Sequence, residues 1–174
     1  MILTGHEITS EIAHRRIVIR PFLPENVNPN SYNFRVGNTL RVYRDEVIDP
    51  RCRPDTELVT MPESGYVLAA HRLYLASTLE VMGSDYYAPT FAARSSVARL
   101  GLFINLSASL GDIGYLGQWT LQLFPASNLR IYPGMEIGQI MWWRPLGEIE
   151  LYDGKYQGSS GPCATRIHHD FAAS

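Results

Sequence analysis

The stretch Trp119-Thr-Leu-Gln-Leu-Phe124 (WTLQLF) decides the fold class. Its residues alternate with the two-residue period of a β-strand, which puts Trp119, Leu121 and Leu123 on one apolar face. Gln122 lies on the other face. The pattern alone leaves open whether its amide is a surface group, a satisfied polar group of the core or the remnant of a catalytic carboxylate.

Similar apolar runs lie on both sides of this strand. Turns that contain Gly, Pro, Asn or Asp separate them, and short strands at this spacing predict an all-β sandwich or barrel. Residues 31–43 are expected to form two strands joined by a turn at Gly37-Asn38, and residues 49–62 a polar connection. Further strands are expected over 16–20, 65–70, 72–77, 97–107, 118–124, 129–132 and 136–143.

The N-terminal segment predicts the one convincing helix. Thr4 and Glu7 have the spacing of a capping box, in which each side chain accepts from the backbone N–H of the other residue. A helix from about residue 5 to residue 15 follows, because its apolar residues have helical spacing.

Composition bounds the class of protein. A chain of 174 residues with 45% hydrophobic and 18% charged residues suits one globular domain. The formal net charge of −2 offers no general attraction for nucleic acid or an acidic membrane, so neither is expected as a partner. Cys52 and Cys163 form no metal or redox motif and are expected to be reduced. With no signal-peptide pattern and no apolar run of bilayer length, a cytoplasmic protein is expected.

The segment 93–101 (ARSSVARLG) gathers donors that could bind an anion. Arg94 and Arg99 carry permanently charged, forked guanidinium groups, and Ser95 and Ser96 add hydroxyl and backbone donors. Such a set suits a phosphate chain. A turn with solvated arginines fits the same residues.

Residues 107–117 (SASLGDIGYLG) form a second candidate, a loop with three glycines and Asp112. Glycines let the backbone come close to a ligand such as the edge of a base, and a plain turn explains them as well. The sequence lacks the GxxxxGK[ST] phosphate loop, GxGxxG, the GxSxG elbow and the zinc site of deaminases. His168 and His169 are expected to be solvated, and no metal-binding residues are predicted.

Six segments, taken in order along the chain, resemble the motifs of the dCTP deaminase branch of the dUTPase superfamily. The resemblance is specific because both the order and the intervals match. Asn33 stands where the family has Asp, Asn105 where many relatives have His, and Ile113 where they have Pro. The segments are 1–4 with the following helix, 28–37 (NPNSYNFRVG), 94–101 (RSSVARLG), 112–117 (DIGYLG), 133–139 (PGMEIGQ) and 155–162 (KYQGSSGP).

The resemblance implies a mainly all-β fold, a distorted jelly-roll-type β-barrel of the dUTPase-like kind with a short N-terminal helix. It implies a barrel domain over residues 1–151 and a flexible C-terminal arm over residues 152–174 that closes over a triphosphate. It also implies a homotrimer with active sites between subunits. The expected ligand is a deoxypyrimidine nucleoside triphosphate, dCTP or dUTP, which carries Mg²⁺ on its phosphates.

Residue roles carried over from the family form two sets. One set would contact the phosphates, base and sugar, and the other would act on the attacking water. The nucleotide-binding set is Arg94, Ser95, Ser96, Ala108, Asp112, Gln139, Tyr152, Lys155 and Gln157. The catalytic set is Gln122, Arg99, Ser95 and Asp112.

Gln122 occupies the position at which the family has its general base, a Glu that takes a proton from the water attacking C4 of cytosine. An amide cannot accept that proton, and loss of a general base typically costs about 10²- to 10⁴-fold in rate. The favoured prediction is an enzyme of the dCTP deaminase type, with Gln122 weighing against deamination itself. Two alternatives stay open: a dUTPase-like pyrophosphatase in which Asp112 orients water toward phosphorus, and a non-catalytic nucleotide-binding trimer.

Overall fold

The computed structural model describes residues 1–172, with side chains up to residue 171. Strands dominate, and the helices are short. The strands are β1 (Val18–Arg20), β2 (Val27–Asn28), β3 (Ser31–Tyr43), β4 (Thr56–Thr60), β5 (Tyr66–Leu68), β6 (Tyr74–Gly83), β7 (Ala88–Ala93), β8 (Leu102–Phe103), β9 (Leu116–Pro125), β10 (Leu129–Ile131) and β11 (Glu136–Trp143), and the helices are α1 (Gly5–Ala13), α2 (Ser95–Ala98) and α3 (His168–Ala172).

Nine strands form one sheet that curls into a nearly closed barrel. Its main path runs β7-β11-β3-β6-β9-β8, with β1 beside β6 and with β2 and β4 beside β3. Strands β5 and β10 pair separately. The barrel encloses one apolar core, in which Tyr32, Phe34, Leu121 and Trp142 are fully buried. The predicted mainly β barrel with a short N-terminal helix is confirmed.

Local features follow the predicted patterns in α1, β9 and β11. In β9, Leu121 and its odd-numbered neighbours are buried, whereas Gln122 is half-buried on the opposite face. Thr4 caps α1 by accepting from the backbone N–H of Glu7 at 3.4 Å. Strand β11 covers residues 136–143, as the sequence predicts.

The predicted turn at Gly37-Asn38 is wrong, because residues 31–43 form one continuous strand of 13 residues. The first half of β3 pairs with β11 and the second half with β4, so the strand has partners along its whole length. The register of β3 against β6 shifts between Val36 and Leu40, and this irregularity absorbs the Gly-Asn pair. The prediction of a polar connection over residues 49–62 is only partly correct, because residues 56–60 form strand β4.

The predicted strand over residues 97–107 is wrong as well. The N–H groups of Ala98 and Arg99 donate to the carbonyls of Arg94 and Ser95, at 2.9 and 3.1 Å, and close the short helix α2. Gly101 then reverses the chain with a φ of +76°, and extended structure is limited to the two residues of β8. The apolar residues of this segment are core residues, but they do not have the period of a strand.

A buried carboxylate holds the centre of the sheet. Glu80 in β6 is fully buried, and its oxygens accept from the backbone N–H and the Nε of Arg35 in β3, at 2.9 and 2.7 Å. Beside it, the Thr78 hydroxyl donates to the Glu80 carbonyl at 2.7 Å and accepts from the Trp119 N–H at 2.9 Å. These bonds lie where β6 shifts register against both β3 and β9, so they join three strands at the point where the ladder is interrupted.

Glu80→Gln is expected to lower the free energy of unfolding by roughly 3–5 kcal/mol, because removing one partner of a buried ion pair leaves the other charge uncompensated. Glu57→Gln is the matched control. Glu57 pairs with Arg44 at 3.3 Å with both side chains more than half exposed, so its loss should cost at most about 1 kcal/mol. Urea unfolding followed by circular dichroism measures both variants, and equal losses would contradict the central role of Glu80.

A second buried carboxylate ties α1 to the barrel. Glu11 accepts from the Nε and Nη2 of Arg16 at 2.5 Å each and from the Tyr87 hydroxyl at 2.7 Å. The hydrogen bonds from Arg16 are the main reason that the pKa of Glu11 falls to about 2, and they outweigh the opposing effect of burial.

Glu11 should make stability depend on pH in the acid range. Its pKa is lower in the folded state than the ordinary value of 4.5, so its stabilisation is complete above pH 4.5 and is lost as the pH falls toward 2. The free energy of unfolding of the unsubstituted protein should therefore fall more steeply on acidification than that of Glu11→Gln. Urea unfolding at about pH 5.5 and at about pH 3.5 tests this, and parallel changes in the two proteins would refute it.

Candidate functional site

A cavity of about 450 Å³ opens beside the middle of β9. Four residues predicted from the sequence line it, namely Ala108, Asp112, Gln122 and Tyr152. Leu75 in β6 lies directly opposite Gln122, so strand pairing forms one wall. We term this space the Gln122 cavity.

The amide of Gln122 faces this cavity from a fixed backbone. Its backbone N–H donates to the Ile104 carbonyl at 2.9 Å, and its side-chain Nε2 donates to the Thr120 carbonyl at 3.1 Å. An amide held in this way can bind water or a polar edge of a ligand through hydrogen bonds. It does not accept a proton near neutral pH, so it cannot act as a general base.

The loop between β8 and β9 forms the second wall. Gly111 is required there, because a Cβ atom at this position would lie 2.0 Å from the Trp119 ring. The start of the loop is fixed by Asn105, whose Nδ2 donates to the Phe91 carbonyl at 2.8 Å. Asp112 is exposed at the rim, and it is the one carboxylate among the described residues that lines the cavity.

The third wall is the C-terminal segment, residues 152–172, which folds back on β9 of the same chain. The side chain of Gln157 accepts from the Leu116 N–H at 2.9 Å and donates to the Gly114 carbonyl at 2.7 Å. Farther along, the Cys163 N–H donates to the Thr120 hydroxyl at 3.0 Å. The segment therefore lies along β9 and covers the cavity.

Aromatic rings join this segment to the loop. The Tyr115 ring contacts the rings of Trp119 and Tyr152, with centroids 4.8 and 5.9 Å apart. Gly114 has a φ of +91°, and a Cβ there would lie 2.8 Å from the Tyr152 nitrogen. Burial raises the pKa of Tyr115 and of Tyr43, both of which line the cavity. The two phenols therefore stay protonated near neutral pH and do not act as bases.

Arg94 and Ser96 line a different cavity, of about 630 Å³, which we term the Arg94 groove. The Arg94 guanidinium pairs with Glu136 at 2.5 Å, and both side chains are about a third exposed. The same Glu136 oxygen accepts from Asn33 Nδ2 at 3.0 Å. An anion that bound Arg94 would compete with this carboxylate.

The other predicted residues lie outside both cavities. Ser95 and Arg99 are exposed at the two ends of α2. Gln139 in β11 accepts from the Ser31 hydroxyl at 3.1 Å, and Lys155 pairs with an aspartate of α3 at 2.5 Å. Among the described residues, none lines both the Gln122 cavity and the Arg94 groove. Within one chain, Ala108 and Gln122 therefore lie at a different cavity from Arg94 and Ser96.

Several residues of the Gln122 cavity were missed in the sequence. Tyr43 and Leu75 are recognisable as strand residues, but only the strand pairing shows that they face the same space. Tyr156, Cys163 and Thr165 come from the C-terminal segment, and their presence depends on its return along β9. The aromatic residues around the KYQG stretch are the one signal that could have indicated them.

Three further observations concern metal ligands, membrane-spanning helices and thiols. Within residues 1–172, no group of three or more His, Cys, Asp or Glu side chains is arranged to hold a metal ion. The helices in this range are all too short, or too polar, to cross a bilayer. Cys52 and Cys163 are both free thiols.

The fold and the two cavities define a β-barrel protein with a largely apolar cavity, lined by one amide, against the sheet and a separate arginine-containing groove. A family model described as dCTP deaminase-like matches residues 2–144, and the chain belongs to this family. The family predicted from the motifs is thereby confirmed.

The relatives cover nearly the whole chain. The chain is 44% identical over 172 residues to the dCTP deaminase, dUMP-forming, of Clostridium botulinum (strain Eklund 17B / Type B). The alignment covers 98% of this chain and 99% of that protein. Proteins of the same description from Cytophaga hutchinsonii and Leptospira biflexa serovar Patoc are 40% and 37% identical to this chain over 172 residues. Both alignments cover 98% of this chain, and they cover 99% of the Cytophaga protein and 98% of the Leptospira protein.

A solved structure shares the fold. The 2'-deoxycytidine 5'-triphosphate deaminase from Agrobacterium tumefaciens has a TM-score of 0.65 and 20% sequence identity, covering 81% of this chain and 47% of that one. This chain thus spans about half the length of that protein.

Proposed function

We propose that this protein binds a deoxypyrimidine nucleoside triphosphate and acts as an enzyme of the dCTP deaminase type. The reaction converts dCTP and water into dUTP and ammonia. One observation carries the proposal: Ala108, Asp112, Gln122 and Tyr152, which the family motifs assign to the base, the sugar and the covering arm, line one cavity. The names of the relatives, dCTP deaminases that form dUMP, support the same class of substrate.

The walls of the Gln122 cavity suit a pyrimidine base. Ligand pockets combine apolar faces with a few polar groups that fix orientation. Leu75, Leu110 and Trp119 provide apolar faces, and the amide of Gln122 and the hydroxyl of Thr120 provide polar contacts.

Proton transfer is expected to limit the rate of deamination, because the amide of Gln122 cannot accept a proton. Water adding to C4 must lose a proton, and the departing amine must gain one. Gln122 holds water by hydrogen bonds but takes no proton, so the proton would pass to Asp112 at the rim, directly or through a second water. We therefore expect a slow deaminase.

The phosphates would bind at the Arg94 groove of another copy of the chain. Because the groove and the Gln122 cavity share no lining residue, a homotrimer that set one against the other would complete the site. Mg²⁺ would arrive with the phosphates as part of the substrate. Arg94, Ser95, Ser96 and Gln139 would hold the phosphates, Tyr152, Lys155 and Gln157 would close over them, and Ser95 and Arg99 would help position the water.

The amide at residue 122 favours a second candidate, hydrolysis of dUTP to dUMP and diphosphate. In that reaction the electrophile is phosphorus, and Asp112 could orient the attacking water while Gln122 only binds the base. The dUMP-forming description of the relatives supports this reaction too.

Product analysis separates these possibilities. The protein is incubated with dCTP or dUTP, with Mg²⁺ or with EDTA, and ammonia, diphosphate and nucleotides are measured. Ammonia from dCTP supports the deaminase, and diphosphate without ammonia supports the second candidate. Tight nucleotide binding with neither product would indicate a non-catalytic nucleotide-binding trimer.

Gln122→Glu should raise the rate of ammonia release from dCTP by roughly 10²- to 10⁴-fold, because it restores a general base beside the cavity. Gln122→Asn is the matched control, since it keeps an amide and should bring no gain. Single-turnover assays with dCTP measure the rates. A variant with Glu at this position that binds dCTP and releases no more ammonia would show that Gln122 does not lie at the reacting atoms.

Arg94→Ala should weaken nucleotide binding by roughly ten- to a hundredfold, because charge-assisted hydrogen bonds to phosphate contribute about 1.5–3 kcal/mol each. Ser95→Ala should have a smaller effect in the same direction. Arg44→Ala, which removes an exposed arginine outside both cavities, is the control. Calorimetry with α,β-imido-dUTP measures binding without turnover, and unchanged affinity in both test variants would refute the phosphate assignment.

A further inference from the structure

The C-terminal segment borders a third cavity, of about 650 Å³, between itself and strands β3 and β4. Ser159, Cys163 and Thr165 line both this space and the Gln122 cavity, so the segment forms a wall between them. The family roles described above use none of the charged residues of this third cavity.

Positive charge dominates the lining. Three arginines contribute, Arg41 from β3, Arg53 from the loop before β4 and Arg166 from the C-terminal segment, and we term the space the arginine cavity. Among the described residues, Asp55 is the one carboxylate that lines it. None of the three arginines forms an ion pair with a carboxylate in the part of the chain that the structure describes.

Two of these arginines are oriented by neutral partners. Arg41 donates from Nε to the Pro162 carbonyl at 2.9 Å and from Nη1 to the Thr56 hydroxyl at 2.8 Å. The Arg166 guanidinium lies 5.7 Å from the centroid of the Tyr156 ring and donates to a backbone carbonyl. These contacts fix the positions of both side chains and leave their charges uncompensated.

The half-exposed imidazole of His168 adds one polar atom that lacks a partner within residues 1–172. His168 lines the arginine cavity, and its Nδ1 is buried without a hydrogen-bond partner among the described residues. A buried polar atom left unpaired is unfavourable, because it has lost its hydrogen bonds to water. In the tautomer that carries its proton on Nδ1, His168 would donate to an oxygen of a ligand that also contacts the guanidinium groups.

We infer that the arginine cavity binds a phosphate-type anion, and that the bound anion links strands β3 and β4 to the C-terminal segment. Guanidinium groups match phosphate oxygens in geometry and charge, and they bind phosphate better than a simple halide. Free phosphate, free diphosphate and the phosphoryl group of a nucleoside monophosphate share this chemistry.

Calorimetry with inorganic phosphate, diphosphate and dUMP, each at fixed ionic strength in chloride, tests the site and separates the sources. Arg53→Ala is the informative variant. Arg53 is exposed, and in the described structure its side chain makes no hydrogen bond, so its loss should leave the fold intact. We expect phosphate to bind the unsubstituted protein and to bind Arg53→Ala roughly ten- to a hundredfold more weakly.

Two controls keep this inference separate from the proposed function. Arg44→Ala removes an arginine outside the arginine cavity and should change phosphate affinity less than about twofold. Arg94→Ala alters the groove proposed for the triphosphate, and the phosphate binding that Arg53→Ala weakens should persist in it. Loss of phosphate binding in Arg94→Ala but not in Arg53→Ala would assign the anion to the Arg94 groove and overturn the inference. Equal competition by chloride would indicate an adventitious ion only and would overturn it too.

Limited proteolysis tests the link to the C-terminal segment. Phosphate should slow tryptic cleavage after Lys155 in the unsubstituted protein, because the anion would hold the segment on the barrel. The same addition should have no effect on Arg53→Ala. Cleavage at the same rate with and without phosphate in the unsubstituted protein would exclude the proposed link.

Discussion

The barrel depends on a carboxylate that has no contact with water. Glu80 accepts from both the backbone and the side chain of Arg35, at the place where β6 loses its regular pairing with β3 and β9. Such a pair adds little net stability compared with an apolar one, but it specifies one arrangement. A slip of one residue in β9 would turn Gln122 toward the core and Leu121 toward the cavity. The chemistry of the site thus rests on a register that a buried charge helps to set.

The residues of the candidate site lie on elements that differ in their hydrogen bonding to the sheet. Gln122 lies on a strand with paired neighbours, whereas Asp112 lies on a loop and Tyr152 on a segment that returns after the last strand. Two glycines make the assembly possible, since Gly111 makes room for the Trp119 ring and Gly114 for the returning backbone. The groove that contains Arg94 already balances its charge internally through Glu136. An anion that bound on that side would therefore replace Glu136 as the partner of Arg94.

Sequence patterns predicted what depends on local period and on motif order. The alternation of WTLQLF, the cap at Thr4 and the bounds of β11 all appear in the structure, and the order of the motifs identified the family.

The predictions were wrong where contacts with residues distant in sequence determine the local structure. Gly37-Asn38 has turn chemistry, yet β3 continues through it because β11, β4 and β6 pair on both sides. The apolar residues of 97–107 predict a strand, but the helix α2 and Gly101 interrupt them. Tyr156, Cys163 and Thr165, which line the Gln122 cavity from the C-terminal segment, could not be found, since their position depends on contacts more than 40 residues distant in sequence.

The C-terminal segment has one face toward the Gln122 cavity and another toward the arginine cavity. A ligand in either cavity would therefore contact the same segment in its position on β9. Thermodynamic linkage makes such sharing reciprocal: a ligand on one side that favours the folded-back segment strengthens binding on the other side by a factor that works equally in both directions. Ligands in the two cavities would then be coupled through residues 159–165 within a single chain.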